Sequence, residues 1–175
     1  PKTLEHLVDA VVNLEGERFA SLRVLRDSKN RFGSTDEVGV FEMGETGLVE
    51  DDDPARAFLV DHDAAAPGSV VAPTLEGSRP LLVEVQALVS TARFGSPVRR
   101  ASGLDPNRLS LLIAVLGRRA GIALGGHDVY ANVAGGLTVA APAMDLPLAL
   151  ALASSYRDHP VLAGTVAIGE VVAAP

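Results

Sequence analysis

The sequence predicts a mixed α+β fold, in two unequal parts that meet at Gly47. Three features carry that expectation. Short runs alternate as strands do, Asp-Pro pairs stand where helices would start, and apolar residues recur at helical spacing late in the chain. Leu4 to Leu7 suits a short helical turn, after which Val8, Ala10, Val12 and Leu14 alternate with their neighbours as one strand. Gly16 punctuates, and Ala20, Leu22 and Val24 alternate in a second strand, giving an antiparallel hairpin. Extended structure resumes at Val38 to Phe41.

In the second part, Asp53-Pro54 reads as an N-cap with proline at the first helical position, starting a helix through Phe58. Pro67-Gly68 is a turn before two extended runs, Ser69 to Leu75 and Leu81 to Ser90, separated by a turn at Glu76 to Arg79. Asp105-Pro106 repeats the capping device before Leu109, Leu112, Ile113 and Leu116, which mark one helical face that Gly121 is placed to end. Strands are then expected at Asp128 to Val133 and Gly136 to Ala140, a buried helix from Leu146 to Tyr156, and a last strand at Gly164 to Val172.

Composition narrows the function classes. The 175 residues are 47% hydrophobic, enough for a real core, and carry a net charge of −7, which argues against a surface that binds nucleic acid everywhere. Any phosphate contact must be local. Cations cluster at Arg18, Arg23, Arg26, Lys29 and Arg31, and again at Arg93, Arg99, Arg100 and Arg108. There is no cysteine, and the four histidines lack metal-ligand spacing, so no metal is assigned. No apolar run approaches the ~20 residues of a membrane span, and no signal peptide opens the sequence, so a cytoplasmic protein without membrane attachment is expected.

The most informative stretch is Lys29-Asn30-Arg31-Phe32-Gly33. It places a planar guanidinium fork and a compact ammonium beside a glycine, which suits phosphate oxygens approaching a tight backbone. This KNRFG run, with Gly33 to Met43 after it, resembles the signature of the bacterial RadA/Sms recombination and repair proteins. Ser90 to Pro97, Ala101 to Leu109 and Asp128 to Gly136 resemble the same family, so the likeness runs nearly end to end.

The resemblance implies that residues 1–46 are the last strands of a RecA-like ATPase core and residues 47–175 a Lon-protease-like domain of the ribosomal S5 domain 2-like fold. Such proteins also carry an N-terminal four-cysteine zinc motif and a Walker A loop, both absent here, so the chain resembles a C-terminal part. In Lon-like enzymes a serine opens a helix in a Gly-Pro-Ser-Ala-Gly context and a lysine activates it. Here Ala143 falls on the serine position, and the only lysines are Lys2 and Lys29. Peptidase chemistry is therefore expected to be lost, with Ser154 and Ser155 serving helix packing.

What the family implies for function is an ATP-driven, DNA-dependent motor of homologous recombination, promoting branch migration as a hexameric ring. Lys29 and Arg31 would act on nucleotide held by a neighbouring subunit, with Asn30, Phe32 and Gly33 completing the motif. Arg93, Arg99, Arg100 and Arg108 are the candidates for DNA contact. ATP and Mg2+ would be the cofactors of the full-length protein, with zinc only in the absent N-terminal region. The partners would be single-stranded and branched DNA, further copies of the chain and a RecA-type recombinase. Two alternatives stay open: a non-catalytic oligomerisation scaffold, and a hydrolase with a site not identified in the sequence.

Overall fold

The protein is described by a computed structural model, covering residues 4–16, 21–51, 53, 58–59, 66–93 and 95–172. The chain divides into two compact units, Pro1–Val60 with Thr74–Leu82, and Asp61–Pro73 with Val83–Pro175. Two four-stranded sheets and two α-helices among the described residues make the fold mixed α+β, as expected.

The first sheet is an antiparallel meander of β1 (Ala10–Glu15), β2 (Leu22–Asn30), β3 (Val38–Gly44) and β4 (Gly47–Glu50), in that order. Val24 pairs with Val40, and both are buried with Val38, so alternation in β2 and β3 supplies this unit's core. The ladder between β1 and β2 shifts register between Val11 and Val12, an irregularity of the bulge kind. The expected helix at Pro54 to Phe58 falls outside the described residues, apart from Phe58, which is buried.

β5 (Ser69–Glu76) and β6 (Arg79–Thr91) come next, joined by a tight turn at Gly77-Ser78. Gly77 has φ +59°, and a Cβ there would lie 2.1 Å from the Asp36 carbonyl oxygen, which accepts the Ser78 N–H at 2.7 Å. Only glycine fits that approach. The second sheet has the order β5-β6-β8-β7, with β7 at Arg99–Ser102 and β8 at His127–Val133. β6 and β8 are antiparallel, whereas β7 and β8 are parallel and joined through α1 (Pro106–Arg119). Asp105 caps that helix by accepting the Asn107 N–H at 2.8 Å, and Leu109, Leu112, Ile113 and Leu116 are its buried face.

α2 (Asp145–Arg157) is mostly buried, and its serines tie it to β6, to the turn before β5 and to the segment after the helix. Ser154 Oγ accepts the Gly68 N–H at 2.9 Å and donates to the His159 carbonyl at 2.6 Å, while Ser155 Oγ accepts the Val89 N–H at 2.9 Å. Their role is packing, achieved by bonds across to neighbouring segments.

Two expectations are corrected, and one strand was not foreseen. Gly136 to Ala140 is not a strand: Gly135 and Gly136 take φ of +78° and +72°, which turns the chain, although Leu137 and Val139 are still buried. Gly164 to Val172 makes one isolated bridge, Val71 with Val166, because its other backbone bonds go to the start of α2, where Gly169 pairs with Ala143 and Leu146. β7, Arg-Arg-Ala-Ser, was not anticipated, since four mostly polar residues carry no alternation to detect.

Candidate functional site

The KNRFG turn leaves the end of β2, with Lys29 and Asn30 still in the strand and Arg31 to Gly33 in the bend. Asn30 builds the bend: its Oδ1 accepts the Phe32 N–H at 3.0 Å and its Nδ2 donates to Asp27 at 3.0 Å. The two cations have different surroundings. Lys29 Nζ donates to the carbonyls of Glu5 and Val8 at 2.5 and 2.7 Å, anchoring the preceding turn to the strand. Arg31 pairs with Asp9 at 3.1 Å, but its side chain is 74% exposed, so this ion pair is weak and readily exchanged.

Phe32 is 82% exposed, an apolar ring standing beside that guanidinium in the chain. Gly33 does not have a left-handed φ, and a Cβ on it would only touch Asn30 Nδ2 at 3.4 Å. The turn's own geometry therefore does not demand glycine at 33.

The four arginines proposed from sequence for DNA do not form one cluster. Arg108 is committed to Asp145: Nε donates to Oδ1 at 3.0 Å, the guanidinium Nη2 meets Oδ2, and Asp145 also accepts the Val171 N–H at 3.1 Å. Asp145 is 3% exposed, so this is an internal ion pair at the start of α2. Arg99 and Arg100 are neighbours on β7 and so point to opposite faces of the sheet. Arg99 donates to the Gly125 carbonyl at 3.3 Å, and Arg100 is exposed in register with Tyr130. Arg93 lies just past β6 and, with Ser90, Thr91 and Asp128, lines a hollow of about 390 Å³.

The strand alternation that buries Val129, Ala131 and Val133 turns Tyr130 outward, 39% exposed. Sequence reasoning passed over Tyr130, although a lone aromatic on the polar phase of an alternating strand was a usable signal. A second hollow, about 560 Å³ in the first unit, is lined by Arg26, Asp27, Glu37 and Arg79 among others. Its charges are of both signs, and Arg26 is already paired with Glu76 at 2.9 Å. Ala143 lies in the 3-10 turn Pro142–Met144 before α2, its carbonyl accepting the Gly169 N–H at 2.9 Å. Among the described residues no group of acidic or histidine side chains is arranged to hold a metal.

No family model matches the chain. Individual proteins do. Over 171 residues, 98% of this chain, it is 51% identical to the DNA repair protein RadA of Halalkalibacterium halodurans, 50% to that of Bacillus subtilis and 51% to that of Aquifex aeolicus. The chain belongs to the RadA family. It spans 37 to 38% of the length of these relatives, so it corresponds to one portion of a RadA protein. That relationship covers both units, the KNRFG turn and the outward face of β7 and β8 alike. No α-helix among the described residues is long and apolar enough to cross a membrane.

Proposed function

We propose that the chain is the C-terminal portion of a RadA-type protein that works in DNA repair and homologous recombination as part of an ATP-driven motor. The carrying observation is an identity of about one half over nearly the whole chain to proteins named for DNA repair. On this reading residues 1–46 complete a RecA-like ATPase core and residues 47–175 are a Lon-like domain without peptidase chemistry. Rings of six copies would move branched DNA on single-stranded tracts alongside a RecA-type recombinase.

The residues that bind nucleotide and magnesium are outside this chain, which has no Walker A loop. What the chain supplies is a cation for a neighbour. The exposure of Arg31 supports it as that group, because it leaves only a weak surface pair to reach a phosphate. Lys29 joins by giving up two carbonyl partners, so its first role is to hold the turn. A cation delivered across an interface makes hydrolysis depend on the neighbour's position, which couples turnover to stepwise motion.

The test uses the full-length protein. Arg31→Ala is expected to leave nucleotide binding largely intact and to lower DNA-stimulated hydrolysis by orders of magnitude, since an arginine acting in trans contributes about 10³–10⁵ in rate. Mixing Arg31→Ala with a Walker A variant should restore part of the activity. Unchanged hydrolysis in Arg31→Ala would leave the chain as an assembly scaffold.

A further inference from the structure

The end of the β1–β2 ladder sets a carboxylate against the guanidinium of the KNRFG turn. Val11 pairs with Lys29 and Ala10 with Asn30, so the next step out brings Asp9 opposite Arg31. The ladder's bonding continues there, because the Arg31 N–H donates to the Asp9 carbonyl at 2.9 Å. Residues directly opposed across an antiparallel pair point to one face with Cβ atoms about 5 Å apart. Arg31 Nη1 accordingly donates to Asp9 Oδ1 at 3.1 Å.

Both backbones are fixed without help from that ion pair. On the Asp9 side, Lys29 Nζ holds the carbonyls of Glu5 and Val8, the second being the residue before Asp9. On the Arg31 side, Asn30 Oδ1 accepts the Phe32 N–H at 3.0 Å, while Asn30 Nδ2 donates to Asp27. The carboxylate therefore stands beside the guanidinium because the backbone puts it there, and little is left to chance meeting of two long side chains. The pair itself stays open to water, Asp9 being 56% exposed, so parting it moves side chains alone.

The geometry points to Asp9 as the resting partner of Arg31, a positioning residue that holds the guanidinium until the phosphate of a nucleotide on the neighbouring subunit displaces it. The inference rests on the proposed action of Arg31 in trans and adds its regulation. Carboxylate and phosphate oxygens are both anionic acceptors for the same planar fork, so the guanidinium exchanges one charge-assisted bond for another. The carboxylate left behind repels the arriving phosphate, as like charges do. Asp9 thus opposes engagement of Arg31 by nucleotide, and an exposed pair is weak enough to be parted in every cycle.

The test measures steady-state ATP hydrolysis by the full-length protein over a range of ATP and of KCl. Asp9→Asn keeps the backbone bonds and the side-chain shape and removes the charge. It should raise kcat about 1.5- to 5-fold, the factor that one exposed ion pair contributes, with KM for ATP unchanged because the nucleotide is held by residues outside this chain. The ratio of variant to parent should fall towards one as KCl rises, since salt screens the pair in the parent. Asp9→Glu, which restores the charge, should reverse most of the gain. Placed in an Arg31→Ala background, Asp9→Asn should bring no gain.

If Arg31→Ala lowers hydrolysis while Asp9→Asn turns over ATP at the parent rate, the resting pair is wrong and the action of Arg31 in trans stands. If Arg31→Ala leaves hydrolysis unchanged, that action fails and the resting pair goes with it. A lower kcat in Asp9→Asn with Asp9→Glu near the parent also overturns the inference, because the pair is then an aid to Arg31 and not a restraint on it. So does a gain that persists in the Arg31→Ala background, because Asp9 then acts through some other group.

Discussion

Replacing Arg108 separates an internal strut from a DNA contact. Its guanidinium makes two bonds to Asp145, whose carboxylate is 4% exposed and, among the described residues, has the Val171 N–H as its further hydrogen-bond partner. Arg108→Ala strands a buried anion, a change that costs about 3–5 kcal/mol. Asp145→Ala strands the other member, but that guanidinium is 32% exposed and lies 3.8 Å from Glu170, so water and a second carboxylate take it up. Its cost should be nearer 1–3 kcal/mol, the range for an unmade hydrogen-bonded group with solvent access, roughly half that of Arg108→Ala. The double variant Arg108→Met with Asp145→Leu should recover most of the loss, because a buried pair replaced by apolar groups is often neutral. Urea titration followed by the far-UV helix signal is the assay, since α1 and α2, the described α-helices, both lie in the second unit. The midpoint should fall at constant slope, with the ordering Arg108→Ala worst, Asp145→Ala next and the double variant closest to the parent. A loss below about 1 kcal/mol for Arg108→Ala, the value of an exposed pair, would refute the strut and return Arg108 to the DNA candidates.

Gly103→Ala should destabilise by more than about 2 kcal/mol in the same titration, because Gly103 has φ +71° and a Cβ would sit 2.3 Å from the Leu137 carbonyl oxygen. Gly33→Ala should leave stability within about 0.5 kcal/mol of the parent, read from the thermal midpoint, since Gly33 has an ordinary φ and room for the methyl. Any loss of DNA-stimulated hydrolysis in Gly33→Ala with intact stability would then report a close approach from outside the chain. Ser154→Ala should cost about 1–3 kcal/mol by urea titration, leaving the Gly68 N–H and His159 carbonyl without the hydroxyl between them. Incubation with unfolded protein and fluorogenic peptides should give no turnover above background, and turnover blocked by a serine reagent would overturn the loss of peptidase chemistry.

The sequence was legible where its signals are local. Asp105-Pro106 with Leu109, Leu112, Ile113 and Leu116 specified α1 because cap, proline and apolar phase all sit within a few turns of chain. The hairpin of β1 and β2 was readable for the same reason. β7 was not, because Arg99 to Ser102 become a strand through parallel pairing with β8, a contact about thirty residues away in sequence. Gly136 to Ala140 misled because Leu137 and Val139 are buried as strand residues are, while two left-handed glycines deny them a ladder. At the candidate site, charge was visible and its commitment was not. Sequence shows that Lys29, Arg31 and Arg108 are cations; only the fold shows that one holds carbonyls, one is exposed and one holds Asp145.

At the start of α2, structural ties occupy the place where the Lon-like reading would put a nucleophile. A nucleophile at a helix start must be exposed, near a base, and faced by room for a substrate. At Ala143 there is a methyl group, and the backbone around it is closed by Gly169, which donates to the Ala143 carbonyl and accepts the Leu146 N–H at 2.9 Å each. Two residues on, Asp145 places a carboxylate in the first turn of α2, where the helix dipole favours an anion, and Arg108 from α1 neutralises it. On the Lon-like reading, the same segment that once had to stay open is free to be tied shut. The ties join α1 and α2 to the 164–172 segment within the second unit. Arg108 and the Val171 N–H hold the Asp145 carboxylate in one place, and loss of the guanidinium alone would leave that buried anion uncompensated.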